Sequence, residues 1–400
     1  MTPMKRRDFV RGTGALAAWS VVPATLLGRT RVAFAAADTD TAQRFVFVIQ
    51  RGAADGLNTV VPYADPAYAR LRAELALDPG TLHKLDGTFG LHPSLVQTAA
   101  MYGQGEALMI QAVASPYRDR SHFDGQNVLE TGGLQPYQVK DGWLNRLLTL
   151  LPGGGTARGS ARRDEAIAFA PTVPLALRGP ADVTSYAPSS MAQAQDDLLL
   201  RVSRLYADDA QLHPLWESAM QTRSLAGSMG GKQDPAAIGK MAAGFLARPD
   251  GPRIAMIETA GWDTHTAQNP RLANTLKSLD TMLAALKVGM GPQWANTTVV
   301  VATEFGRTAA VNGTNGTDHG TGSAAMILGG SVKGGRILAD WPGLSPQALN
   351  EGRDLHATLA LDSLIASAAA ETFRLDPQRV NAALFPRSPG GAMRTTILRT

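Results

Sequence analysis

Residues 44–50 read RFVFVIQ, and the fold turns on how that run is taken. A strand with one face in water alternates apolar with polar residues, whereas a run that is apolar throughout reads as a strand covered on both faces. Similar runs recur at 107–113 (ALMIQAV), 166–170 (AIAFA), 253–260 (RIAMIETA), 297–305 (TTVVVATEF) and 324–330 (AAMILGG). Between them lie helical patterns, such as DPAYARLRAEL at 65–75, a helix beginning near Ser121, and RLANTLKSLDTMLAALK at 271–287. That alternation predicts an α/β domain with a mainly parallel sheet covered by helices.

Two stretches interrupt the alternation. PGGGTARGSARRDE, at 152–165, has the glycines and charges of a surface loop. Residues 189–248 carry helical patterns without a strand between them and read as a helical insertion, one that caps a site or covers a sheet edge.

The N-terminus carries Arg6-Arg7, then an apolar stretch broken by Pro23, then a small-residue AFA ahead of Ala36. This is the pattern of a twin-arginine export signal over 1–35, cleaved near Ala35, with the folded domain over 36–400. A retained membrane anchor fits less well, because the apolar stretch is short. The expected location is periplasmic or secreted, with the twin-arginine translocase as a partner during export.

The leader also explains the charge. The chain is 400 residues long with 38 Lys and Arg and 34 Asp and Glu; six of those basic residues and one acid lie in 1–35, which leaves 32 against 33. The sequence pI of about 9.4 therefore reflects the leader in part, and a near-neutral remainder does not predict nucleic acid or anionic lipid as a partner. With no cysteine, disulfides, thiolate ligands and a Cys nucleophile are excluded, and the core alone holds the fold.

In open α/β sheets ligands collect beyond the carboxyl ends of the strands. Four polar segments fall there: Asp55 after RFVFVIQ, Asp263 and His265 after RIAMIETA, Glu304 and Arg307 after TTVVVAT, and Asp318 and His319 just before AAMILGG. Carboxylate oxygens with imidazole nitrogens suit a hard or borderline divalent ion. Each residue also has a structural alternative: Asp55 a turn before Gly56, Asp263 a helix cap, His265 an exposed loop residue, Asp318 a glycine-flanked turn, Arg307 an ion pair with Glu304.

Ser121, in SPYRDRSHFDGQNVLETG, stands at a helix start after a buried strand. The free amides of that turn, with Arg118 and Arg120, could receive an anion while Ser121 attacks a phosphoryl or sulfuryl centre. An ordinary N-cap is the alternative. His122 and Asp124 are additional potential ligands. His92 and His213, each before a proline, read as turn or helix-entry residues.

RGAADGLNTVVPYADPAY, GLHPSL, SPYRDRSHFDGQNVLETG, GWLNRLL, ETAGWDTH, TTVVVATEFGRT, TDHGTGSAAMILGG and GGRILADWPGL, in that order, resemble the exported bacterial family of domain of unknown function 1501. That family is placed among alkaline phosphatase-like and sulfatase-like folds. The resemblance implies a three-layer α/β/α sandwich with strand-end Asp and His residues holding one or two divalent ions (zinc, manganese or magnesium) beside a Ser or Thr nucleophile. Carried over by position, Asp55, Asp263, His265 and His319 resemble metal ligands, and Ser121 resembles the nucleophile. Glu304-Phe305 departs from the Asp-His pair usual at that strand end, leaving one imidazole missing unless His122 or Asp318 replaces it. Ser115-Pro116-Tyr117-Arg118 lacks the spacer of a sulfatase motif.

The expected function is metal-dependent hydrolysis or transfer of a phosphate or sulfate ester, small or polymeric. Ser121 would be the nucleophile, Arg307 or Arg120 would hold the equatorial oxygens, and Asp55, Asp263, His265, Glu304, Asp318 and His319 would hold the ions. The alternative is a non-catalytic periplasmic scaffold or binding protein with a degenerate site, acting through a protein partner. A complex redox cofactor finds no matching motif.

Overall fold

The computed structural model describes residues 42–400 except 153–164, 171, most of 187–233 and five positions near the C-terminus (389, 390, 392, 394 and 400). The leader expected at 1–35, nearly all of the 152–165 loop and most of the 189–248 insertion lie outside the described residues.

The six apolar runs all join one sheet, which has nine strands among the described residues. Its strands are β1 (Arg44–Gln50), β2 (Ala107–Ala114), β3 (Ala166–Phe169), β4 (Thr184–Ser185), β5 (Ile254–Thr259), β6 (Thr297–Thr303), β7 (Ser323–Leu328), β8 (Arg336–Leu338) and β9 (Leu359–Ala360). The spatial order is β8-β2-β7-β6-β1-β5-β3-β4, with β9 also pairing β2. All pairs are parallel except those of β7, which runs antiparallel to both β2 and β6.

RFVFVIQ is the central strand, buried at all seven positions. Its side chains alternate between two cores, as the pleat requires. Phe45, Phe47 and Ile49 join a core with helices Trp143–Leu150, Leu361–Phe373 and Pro377–Leu384. Val46 and Val48 join the opposite core, packed by Pro235–Leu246 and Gln268–Met290. The result is the expected three-layer α/β/α sandwich with a mainly parallel sheet. Among the described residues no helix is long and apolar enough to cross a membrane.

Close backbone packing fixes two glycines at the end of the sheet that carries the polar segments. Gly52, with φ +118°, follows β1; a Cβ there would come within 2.8 Å of the Asp263 amide. Gly306, after β6, lies so close to Gly322 that a Cβ would sit 1.8 Å from its carbonyl oxygen. Only a residue without a side chain lets these loops approach one another.

Candidate metal centre

Strands β1, β2, β5 and β6 all end on one side of the sheet, so the loops that follow them meet there. His319 precedes a strand, yet it joins them because β7 runs the other way and begins where its neighbours end. The loop after β2 leads into the helix His122–Thr131, with Ser121 at its N-cap position. His122 is therefore the first helical residue and projects from the rim of the sheet into the same space.

Three imidazoles and one carboxylate converge. Ligand atoms of His122, Asp263 and His319 lie within 4.8 Å of one another. His265 Nε2 is 3.0 Å from His319 Nε2 and 3.0 Å from Asp263 Oδ1. Phe305, buried, stacks on His122 at 5.1 Å and packs against His319 at 5.3 Å, forming an apolar wall.

The outer nitrogen of each ring is engaged by an acceptor. His122 Nδ1 is 2.8 Å from Glu304 Oε1, His319 Nδ1 is 2.9 Å from the Arg120 carbonyl, and His265 Nδ1 is 3.1 Å from Asp318 Oδ1. A carbonyl or an ionised carboxylate only accepts, so each Nδ1 carries hydrogen and each neutral ring turns an Nε2 lone pair toward the others. His122 Nε2 is buried without a hydrogen-bond partner and lies 3.5 Å from Asp263 Oδ2. Facing lone pairs at 3.0 Å beside a carboxylate repel one another unless a proton or a cation lies among them. Rings oriented by outer acceptors, with their inner nitrogens gathered, are also the arrangement in which histidines bind metal. The residues present fit a divalent ion.

The local charges agree. Burial pushes the Asp263 carboxyl up, but the Arg307 hydrogen bond and charge, with His265 and His122, hold it below the ordinary carboxylate value. Burial acts the same way on Glu304 and is outweighed by hydrogen bonds from His122, Gln126 and the Gly52 amide. The Glu304 hydrogen bond raises His122, whereas burial, then the neighbouring His122 and Arg307 charges, lower His319.

Of the residues singled out in the sequence, the structure brings Asp263, His265 and His319 together, with His122 as their third imidazole. Glu304 stands behind His122 rather than in the centre. Its two oxygens are taken up by His122, Gln126, the Gly52 amide and Thr303. Asp318 stands behind His265 in the same way and also accepts from Asn312.

Asp55 is held elsewhere: Arg72 grips both its oxygens at 2.6 and 2.9 Å, Gln268 donates at 2.5 Å, and it caps the short helix Gly56–Thr59. Arg307 pairs with Asp263 at 2.5 Å, not with Glu304, and its Nε and Nη2 donate to Thr317. The Arg120 guanidinium is tied to Asp354 and Glu351. Neither arginine presents a free guanidinium to a bound oxyanion. Asp263 does not cap the helix after it, whose N-cap is Ala267. Ser121 has the N-cap backbone without a side-chain capping bond.

Sequence reasoning underrated His122 and missed Gln126. The spacing of His122 and Gln126, one helical turn apart on one face, was the available signal that both reach the same partner.

The sequence matches the family model described as "Protein of unknown function (DUF1501)" over residues 42–383. No curated protein matches it. Among solved structures it is similar to the C-terminal periplasmic domain of EcEptC from Escherichia coli in complex with Zn, at 10% identity and a TM-score of 0.36, over 72% of this chain and 73% of that one. It is similar to a mutant TAB5 alkaline phosphatase with Mg bound, at 10% identity and a TM-score of 0.38, over 83% of this chain and 98% of that one. A third likeness is to the phosphonate monoester hydrolase of Agrobacterium radiobacter, at 9% identity and a TM-score of 0.30, over 88% and 79% of the two chains. Likenesses this distant say nothing of the reaction.

Proposed function

Given that this chain belongs to the DUF1501 family, we propose that it is an exported metal-dependent hydrolase or transferase acting on a phosphate or sulfate ester. The observation that carries the reading is the convergence of three outward-anchored imidazoles on Asp263. Asp263, His122 and His319 would hold the ion, with His265 as a further ligand. A donor set of nitrogens with one carboxylate favours zinc or manganese over magnesium, which takes oxygen ligands. When bound, a divalent ion supplies Lewis acidity, lowering the pKa of an attacking hydroxyl and stabilising charge on the leaving oxygen.

The chain's own groups divide the remaining work. Arg307 keeps Asp263 ionised and oriented. Ser121, next to His122 and not used as a side-chain cap, is the nucleophile of this reading. The equatorial oxygens of the transferred group go to the free amides in the first turn of His122–Thr131, because a helix N-terminus favours an anion and both arginines are already engaged. Twin-arginine export to the periplasm or beyond, with the translocase as a transient partner, completes the reading.

The test is the metal content of mature protein purified without chelator or affinity nickel, alongside Asp263→Ala and His319→Ala. About one equivalent per chain, lost in both variants, is the expected result; no metal after incubation with zinc and manganese overturns it. Ser121→Ala should abolish ester turnover while the ion stays bound, and full activity in that variant removes Ser121 from the mechanism.

A second reading is a periplasmic scaffold or binding protein that holds an ion without turnover and acts through a protein partner. It is favoured by one observation: Arg307 and Arg120, the cations expected to hold an oxyanion, are both committed to carboxylates. Stoichiometric metal with no turnover across phosphate and sulfate esters would select it.

A further inference from the structure

Asp354 lies in the loop before β9, far in sequence from every residue of the centre, and its side chain is fully buried. Its Oδ2 accepts from Arg120 Nε at 3.0 Å and Nη2 at 2.8 Å. Its Oδ1 lies 3.2 Å from Arg353 Nη1, an ion pair without hydrogen-bond alignment. Both arginines hold the same residue. The Arg120 carbonyl accepts from His319 Nδ1 at 2.9 Å, and Arg353 Nη2 donates to the His319 carbonyl at 2.8 Å.

Arg120 also sits at φ +62°, a left-handed conformation that costs a non-glycine residue about 1 kcal/mol. That conformation aims the Arg120 carbonyl at the imidazole. Something must hold it there, and the buried carboxylate gripping the side chain is the group in place to do so. Backbone contacts fix the carboxylate in turn: the Asp354 amide donates to the Asn350 carbonyl, Asn350 returns the bond, and the Asp354 segment bridges Thr308, next to Arg307.

We infer that Asp354 is a positioning residue of the metal centre, fixing the ring of His319 through Arg120 and its backbone through Arg353. It touches no ligand atom. Its effect is to keep hydrogen on His319 Nδ1 and so leave Nε2 free to face Asp263. The inference rests on the metal reading for its functional meaning, but its structural core does not require an ion.

The experiment uses the mature protein with Asp354→Asn, which keeps the volume and loses the charge, and Arg353→Met, which leaves Asp354 intact and removes one arm. Leu286→Ala, a core change at the end of the helix Gln268–Met290 away from His265, controls for general loss of stability. Nitrogen NMR of the histidine rings in metal-free protein reports which His319 nitrogen carries hydrogen, and zinc titration reports affinity.

The expected result is the Nδ1-protonated form in the wild type and a mixture of ring forms in Asp354→Asn. Arg353→Met, which leaves Arg120 gripped, should keep the wild-type ring form. Zinc affinity should fall about tenfold or more in Asp354→Asn, as for other outer residues of metal sites, and stay unchanged in Leu286→Ala. Unchanged His319 protonation in a folded Asp354→Asn protein would overturn the inference, as would an equal loss of zinc affinity in Leu286→Ala. A wild type that binds no zinc would sink the metal reading alone, because the ring measurement still decides the role of Asp354. If Asp354→Asn fails to fold, Arg120→Met tests the same arm, and a wild-type His319 ring in that variant overturns the inference.

Discussion

Asp55 is where the sequence and the structure part most clearly, and Arg72→Met tests which is right. The Arg72 side chain is fully buried and that of Asp55 nearly so, joined by two hydrogen bonds of 2.6 and 2.9 Å. Removing one partner of such a pair costs about 3–5 kcal/mol, because the other charge stays buried without compensation. Here the carboxylate would keep Gln268 at 2.5 Å and the Leu57 amide at 3.1 Å, which places the expected loss at the lower end, about 3 kcal/mol. For a domain this large that is a fall in Tm of roughly 6 °C.

The double variant Asp55→Leu/Arg72→Met should recover a good part of the loss, since an apolar pair of similar volume often replaces a buried ion pair at little cost. Urea unfolding of the two single variants and the double, followed by circular dichroism, gives the coupling; metal content measured on the same preparations should be unchanged throughout. A loss below about 1 kcal/mol in Arg72→Met, together with loss of metal in Asp55→Asn, would refute the reasoning and return Asp55 to the centre.

Glu304→Gln keeps the shape of the group behind His122 but can no longer act as an anionic acceptor for its Nδ1; we expect zinc affinity to fall about 10–100-fold, read by competition with a chelating dye, with the fold retained. His92 is buried, accepts the Ser94 amide on Nδ1, and is lowered by burial to about 4. Its folded pKa lies below its unfolded value, so the stability it contributes is complete above about pH 6.5 and is lost as pH falls toward 4, at most about 3 kcal/mol. His92→Asn, which retains an acceptor, should flatten the urea midpoint against pH in that window, and a profile parallel to the wild type would count against it. Gly306→Ala should lower Tm by several degrees in thermal melts, since its Cβ would meet the Gly322 carbonyl at 1.8 Å; an unchanged melt would show that the two loops can part without cost.

The layers of the fold were legible because burial on both faces leaves an unbroken apolar run. RFVFVIQ, TTVVVAT and ALMIQAVA are each buried at every position. Strand order was not legible, since nothing in AAMILGG says which neighbours it will find or that it will run against them. That direction matters to the site: His319 precedes its strand, and in an all-parallel sheet it would have stood at the opposite end from Asp263. The loops that carry the chemistry could be named from the sequence, but the depth of each side chain could not. Glu304 and Asp263 are both carboxylates just past a strand end, and only packing sets one behind an imidazole and the other among three of them.

The bracing of the centre explains why the two kinds of residue are hard to separate in one dimension. His122, from the loop after β2, is held by Glu304 from the end of β6. Asp263, after β5, is held by Arg307 after β6. His319, before β7, is held by a carbonyl from the loop after β2. Each of these is oriented from a strand end other than its own, so the geometry of the centre is set by the packing of the strands rather than by any one loop. The parallel register of β1 against β5 and β6, through Phe47 with Met256 and Val300, fixes those ends relative to one another. A rigid sheet can then hold imidazoles close together in a way that separate mobile loops could not. Core variants that shift this register should loosen metal binding even where no ligand or supporting residue is touched.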